Sequence, residues 1–245
     1  MKQQFTAKHP WTILAAGAAI QVLTGIPAAW GVFQQPVMDE YGLSEQGAGY
    51  AFGILIAAFG VGCVLGGFLQ DSRGPRCAAL WGTALLCGGF FAAAILPGGS
   101  AGSFFLAFSI PAGLGTAFLY PSIQSCAQKW YAGRKGLATG VIGGAVGLSG
   151  AFLTVFVRTA VSGFGIVQGI RGAFWALGAI TLPVCLAGSL LLQDPPESRQ
   201  NQQGSGKNEI DLSPWQMLKT KQYWLCAGAV CFSTPAVLLF SPIIL

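Results

Sequence analysis

The chain predicts an all-α membrane protein: a six-helix transmembrane bundle followed by a seventh span. Three observations predict it. Charged residues are only 9% of the 245 residues and hydrophobic ones 53%, whereas a soluble domain carries about 25% charged residues; so little charge cannot cover a water-soluble globule. Seven apolar stretches are each long enough to cross a bilayer, for which about 20 residues suffice. The basic residues sort to one side of those stretches. Mean hydropathy of +0.61 agrees, as do the 36 glycines, since glycine lets membrane helices approach closely.

In chain order the stretches are 11–33, 48–69, 77–96, 104–125, 137–157, 172–192 and 224–244, and none contains Asp, Glu, Lys or Arg. The first is too long and too polar-ended for a cleaved signal peptide. Lys2 and Lys8 precede span one; Asp39, Glu40 and Glu45 follow it with no basic residue. Arg73 and Arg76 lie between spans two and three, and 97–103 is uncharged. Lys129, Arg134 and Lys135 follow span four, Arg158 and Arg171 bracket the connection after span five, and Arg199, Lys207, Lys219 and Lys221 precede span seven. Eleven basic residues thus fall on one side and two, Arg158 and Arg171, on the other. Cytoplasmic loops retain Lys and Arg, which predicts a cytoplasmic N-terminus.

Segment 193–221 is polar, rich in Gln, Ser and Gly, and carries both signs of charge. It reads as a cytoplasmic linker. Ser213 as N-cap and Pro214 at the first helical position predict a short interfacial helix at its end, with Trp215 at headgroup level. The expected organisation is a six-helix bundle over 1–192, the linker over 193–221 and, over 222–245, the first span of a second bundle whose remainder is absent.

The most specific motif is Gly67, Asp71, Gly74 and Arg76, with Arg73 between, in the loop after span two. Gly67 removes a side chain where a neighbouring helix packs, Asp71 is an acceptor at the helix end, Gly74-Pro75 makes a tight turn, and the arginines hold the loop on the cytoplasmic side. The run resembles the major facilitator signature G-x-x-x-D-x-x-G-x-R, at the family's own position. The resemblance implies a six-helix half of a transporter, in which this loop holds the two halves together on the cytoplasmic side and controls the outward-facing state.

Along span five Gly136, Gly140, Gly143, Gly147 and Gly150 share one helix face, and span two repeats this sparsely at Gly53, Gly60 and Gly67. Small residues at such spacing predict close helix contact. Gly113 to Gln124, containing Tyr120, then Lys129-Trp130-Tyr131, Arg134-Lys135 and Gly136-x-Ala138-x-Gly140, resemble the oxalate/formate antiporter branch, and monocarboxylate carriers share several of these features. Trp30 with Phe33 fits the same branch. The branch has an aromatic two residues before that tryptophan; here the position is Ala28, which leaves room for a carboxylate bulkier than oxalate.

Uncharged polar groups inside spans are the candidates for touching substrate. They are Gln21 and Thr24 in span one and, at successive helical turns of span four, Thr116, Tyr120 and Gln124; Trp30 joins them through the resemblance. Tyr120 offers a hydroxyl donor and a ring face; an interhelical hydrogen bond is the equal alternative. For Gln21 and Gln124, helix–helix hydrogen bonding is the plainer role. No span supplies the cation that a buried anion needs; in the antiporter branch it comes from the second half.

The seven cysteines lie in apolar stretches without metal spacing and read as buried small hydrophobes; His9 is a lone, solvated residue. There is no P-loop, nucleophile elbow or His–carboxylate pair, so the chain is not read as an enzyme and no cofactor or metal is implied. Basic residues divided among membrane loops do not make a nucleic-acid surface. The expected partners are a small organic anion, the lipid bilayer, and the missing C-terminal half or a full-length carrier. The expected place is a bacterial inner membrane. Three functional readings follow: the N-terminal half of a secondary organic-anion transporter working by alternating access; a truncated, non-transporting membrane protein or regulatory partner of a full-length carrier; and a half-transporter working as a dimer, against which the odd number of spans counts.

The charge asymmetry makes a topology prediction. Alkaline phosphatase fused within 97–103 is expected to be active outside the cell, and fused within 193–221 to be silent; the opposite pattern inverts the orientation.

Overall fold

The structure is a computed structural model that describes residues 10–97, 101–164, 166–195 and 214–240. Six helices in it are long and apolar enough to cross a membrane: Pro10–Tyr41, Glu45–Arg73, Pro75–Ile95, Ala101–Trp130, Ala132–Ala160 and Gly169–Leu191. The seventh apolar stretch carries the helix Lys221–Phe240. A short helix, Pro214–Met217, stands where the interfacial one is expected; its N-cap, Ser213, lies outside the described residues.

The helices overrun the apolar stretches. Span one continues through Asp39 and Glu40 to Tyr41, leaving only Gly42, Leu43 and Ser44 before span two. Once a helix leaves the hydrocarbon its backbone bonds persist while charged side chains reach the headgroups. Gly42, in the left-handed region at φ 64°, ends span one. Ser44 caps span two by accepting the Gly47 N–H at 3.1 Å.

Two spans are irregular, each beside a proline. Span one is divided at Gly25 into Pro10–Thr24 and Ile26–Tyr41. Pro27 has no N–H, so the ladder across the division cannot be completed. Span four opens with Ala101–Phe104, passes through a π-turn at Phe105–Ser109, and continues as Ile110–Trp130. The Ile110 N–H reaches back to Phe105 O just ahead of Pro111, which cannot donate.

The bundle has an internal symmetry. Span four packs most extensively against spans two and three, span three against six, and span one against five and six. Exchanging one with four, two with five and three with six maps the two–four contact onto five–one, three–four onto six–one and two–three onto five–six. The related helices cross the bilayer in opposite directions, the pattern of an inverted repeat of three.

The same exchange pairs the peripheral helices. Spans two and five bury only 17% and 28% of their most apolar segments, against 56% for spans one and three and 50% for span four. The core clusters on spans one, three, four and six. Phe33, Phe90, Phe104, Phe108 and Phe174 are fully buried, with Phe108 and Phe174 ring centres 4.9 Å apart and Phe104 and Phe108 at 5.3 Å.

Close approach falls on glycines other than those the repeat spacing picks out. A Cβ on Gly115 of span four would lie 2.5 Å from the Leu86 nitrogen and 2.8 Å from the Gly82 oxygen of span three. On span five, a Cβ at Gly136, Gly140, Gly143 or Gly147 meets nothing within 4 Å, and only Gly150 nears another helix, at Ala28. Gly53, Gly60 and Gly67 on span two are equally open. The glycine faces of spans two and five, Gly150 apart, therefore meet no helix of their own bundle among the described residues; the close contact that their spacing predicts would have to come from elsewhere.

Lys221–Phe240 makes no extensive contact with the bundle among the described residues. Trp224, Leu225, Val230 and Phe232 stand exposed on it. Cys226 and Cys231 are exposed for the same reason, unlike the buried Cys87, Cys126 and Cys185, which corrects the expectation that all seven cysteines are buried.

Gly115→Ala is expected to lower the stability of the detergent-solubilised protein by about 1–3 kcal/mol, the usual cost of overpacking, because backbone on both sides must move. Gly140→Ala is expected to leave it unchanged. Thermal unfolding of the two variants side by side checks the contrast.

Candidate functional site

The second span holds the aromatic candidates. Trp30 is buried and stacks on Phe52, ring centres 5.8 Å apart at 25°. Tyr120 is half-buried and leans on Phe59 at 6.4 Å. Phe52 and Phe59 are seven residues apart, two helical turns along one face. Span two thus presents an aromatic from span one and another from span four on a common face, and no ring contact joins Trp30 to Tyr120 directly. Sequence reading passed over Phe52 and Phe59; their seven-residue spacing was the available signal.

The polar candidates differ in what they have left to offer. The Thr116 hydroxyl is spent on Ala112 O at 2.8 Å. The Tyr120 hydroxyl has no hydrogen bond among the described residues. Gln124 is half-buried with its Oε1 unpaired. Gln21 is 1% exposed; its Oε1 accepts from Thr24 Oγ1 at 3.0 Å and its Nε2 has no partner. The candidates are therefore split between the bundle interior (Gln21, Trp30, Thr116) and half-buried positions on span four (Tyr120, Gln124).

The loop motif is built around one residue. Gly74 alone separates Glu45–Arg73 from Pro75–Ile95, at φ 89° and ψ 165°, a region open essentially to glycine only. Its N–H closes the first helix on Gln70 O at 2.7 Å, and Pro75 starts the next where no donor is needed. Asp71 and Arg73 are exposed and have no polar partner among the described residues. Gly67 faces open space. Arg76 turns inward, its Nε donating to Leu192 O at 3.4 Å.

That last bond belongs to a larger arrangement at the end of span six. Trp130 Nε1 donates to Gln193 O at 2.6 Å, and Cys126 Sγ donates to the same oxygen at 3.2 Å. Lys129 pairs with Asp194 at 3.0 Å. The orphan carbonyls of a helix C-terminus are thus taken by side chains from spans three and four. The Lys129-Trp130 run therefore acts structurally, tying the end of span six to the end of span four.

A counterpart lies at the opposite end of the bundle, and sequence reading did not find it because its two charges sit in different loops. Arg171 Nε meets Glu40 Oε1 at 2.7 Å, joining spans six and one. Beside it Tyr41 is fully buried, donates to Ala93 O of span three at 2.7 Å and packs on Phe104 of span four at 4.7 Å.

Comparison with known proteins places this architecture. The family model described as Major Facilitator Superfamily matches residues 13–245. The chain is similar to the oxalate:formate antiporter of Oxalobacter formigenes, 23% identical over 83% of this chain and 47% of that protein. It is also similar to monocarboxylate transporter 9 of Mus musculus, 29% identical over 74% of this chain and 35% of the other. Among solved structures, a peptide transporter POT (E310Q mutant) in complex with sulfate shares the fold, with a TM-score of 0.58, 21% identity, and coverage of 98% of this chain and 48% of that one. The chain spans about half the length of the curated relatives at the head of the comparison, 47% and 46%.

Trp130→Phe keeps the ring and removes the donor. It is expected to cost about 1 kcal/mol, the net worth of one such hydrogen bond, read as a lowered unfolding temperature. An unchanged midpoint means Gln193 O finds another donor.

Proposed function

The chain belongs to the Major Facilitator Superfamily, and from that premise we propose that it is the N-terminal half of a secondary carrier for small organic anions, of oxalate/formate or monocarboxylate type. The observation that carries the reading is the pair of open glycine faces on spans two and five, related by the internal symmetry and unfilled by their own bundle. A second bundle of the same kind fits there, because small-residue faces let helix backbones approach and slide. Asp71 and Arg73 stand exposed at the end of span two, available to partners beyond this bundle. The two bundles would rock about a site at the midplane and open it alternately to each face of the membrane. No covalent step is needed.

The substrate class rests on three features. Similar proteins are named as carriers of oxalate, formate and monocarboxylates. Tyr120 offers an uncommitted hydroxyl at a half-buried position, with Gln124 one turn beyond. Ala28 stands where the antiporter branch has an aromatic, which enlarges the site beyond oxalate. The cation that offsets the anion's charge comes from outside these spans: Arg171 is already paired with Glu40, and the other basic residues of the bundle lie towards the helix ends.

Uptake of labelled formate by proteoliposomes carrying the native polypeptide is the test. Inhibition is expected from monocarboxylates larger than formate more strongly than from oxalate. Tyr120→Phe is expected to weaken apparent affinity by about tenfold, the worth of one hydrogen bond to a charged group. Tightest inhibition by oxalate counts against the enlarged site, and absence of any carboxylate flux sinks the reading.

A further inference from the structure

We propose that Cys87 of span three and Cys185 of span six form a two-coordinate site for a soft divalent cation, mercuric ion, which bridges the two helices inside the membrane. The inference stands apart from the carrier reading and uses none of the residues assigned to it.

The register of the two helices sets the pair face to face. Thr83 Oγ1 and Ser189 Oγ lie 3.2 Å apart. The Thr83 hydroxyl donates to Ala79 O at 2.8 Å, so Ser189 is the donor between them. One turn further along span three is Cys87, and one turn back along span six is Cys185. Beyond that pair, a Cβ on Gly178 of span six would lie 2.7 Å from the ring of Phe91 on span three. Contact advances along one helix as it retreats along the other, so the two are antiparallel and touch on both sides of the cysteines. Both thiols are free and buried, at 2% and 0% exposure. They lie within electrostatic reach of each other.

The surroundings select the ligand. Cys87 lies near the middle of Pro75–Ile95, and neither apolar stretch carries Asp, Glu, Lys or Arg. Among the described residues no third His, Cys, Asp or Glu joins the pair. Zinc in a structural site takes four protein ligands, so two thiols do not satisfy it. Thiolates favour soft metals. A monovalent soft ion on two thiolates leaves a net negative charge in the hydrocarbon with nothing to offset it, which is costly. A divalent ion leaves none. Mercuric ion is soft, divalent and stable with two sulfurs in line.

The exchange balances without an oxidant. Mercuric chloride meets two thiols: two sulfur–mercury bonds form, two mercury–chloride bonds break, and both thiol protons leave with the chlorides. Uncharged mercuric chloride enters from the lipid, past Gly88 and Leu186, which adjoin the cysteines and are exposed. Pro183, two residues before Cys185, takes one N–H out of the ladder of span six, so this turn can yield as the sulfurs adjust. Spans three and six belong to different halves of the internal repeat. A bound ion therefore fastens one three-helix unit to the other.

The test uses the detergent-solubilised native polypeptide, with mercuric chloride as the probe and zinc chloride as the control. Cys63→Ala, Cys77→Ala, Cys126→Ala, Cys226→Ala and Cys231→Ala are combined so that only the pair remains. Intact mass spectrometry is expected to show one mercury per polypeptide with both thiols consumed, and the unfolding temperature is expected to rise with mercury and not with zinc. Adding Cys87→Ser or Cys185→Ser is expected to abolish the rise. Either addition is also expected to let about a hundredfold less free cysteine strip the metal, since the second sulfur no longer holds it. Two mercury atoms per polypeptide, equal retention by the single-cysteine variants, or a matching response to zinc overturns the site. One measurement needs no variant: in the wild type, with accessible thiols first blocked by N-ethylmaleimide, peptide mapping is expected to find Cys87 and Cys185 joined through one mercury. Mercury on either residue alone overturns the proposal.

Discussion

Inside a bilayer a peptide group that loses its helical partner has no water to replace it, and the structure is organised by that constraint. It makes every crossing a helix. It also explains where side chains are spent. The carbonyls at the end of span six are occupied by Arg76, Cys126 and Trp130. One carbonyl near the end of span three is occupied by Tyr41. At Gly25, where a proline interrupts span one, Ser149 of span five reaches the exposed carbonyl. The polar side chains that reach across helices thus gather at helix ends and at the break in span one, whereas the hydroxyls of Thr83, Thr116 and Thr154 turn back onto carbonyls of their own helices.

The second organising factor is how closely the helices come together. Lipid offers little apolar incentive for helices to associate, so contact depends on shape. Spans three and four meet at Gly82 and Gly115 with backbone against backbone. Spans two and five keep comparable surfaces open on the outside. The internal two-fold relation assigns these open faces to equivalent helices, so one geometric rule accounts both for what is packed and for what is left free. The two ion pairs, Lys129–Asp194 and Glu40–Arg171, join helices at opposite ends of the bundle.

Much of the fold was legible in the sequence because membrane thickness imposes a length on each apolar run, and the six spans stand where those runs predict. Helix ends were less legible: Asp39 and Glu40 look like loop residues, yet the helix carries them past the hydrocarbon. Glycine spacing was legible only in part, since periodicity shows that a face is small but not which neighbour it meets. The loop turn was read correctly as to place, and its positive φ explains why glycine stands at position 74. Gln21, Thr116, Tyr120, Gln124 and Trp30 were named from residue type alone; which of them retain free donors or acceptors depends on where their side chains lie in the folded bundle. Phe52, Phe59 and the partner of Lys129 were not found at all, because each acquires meaning only through a residue on another span.

A single glycine between spans two and three also bears on how this pair can move. With Gly74 alone between Arg73 and Pro75 and held at φ 89°, the adjoining helix ends stay together, so neither helix can slide along its axis without carrying the other's end with it. Arg73 and Arg76, one residue before the bend and two after, therefore keep their charges at one level whatever the rest of the pair does.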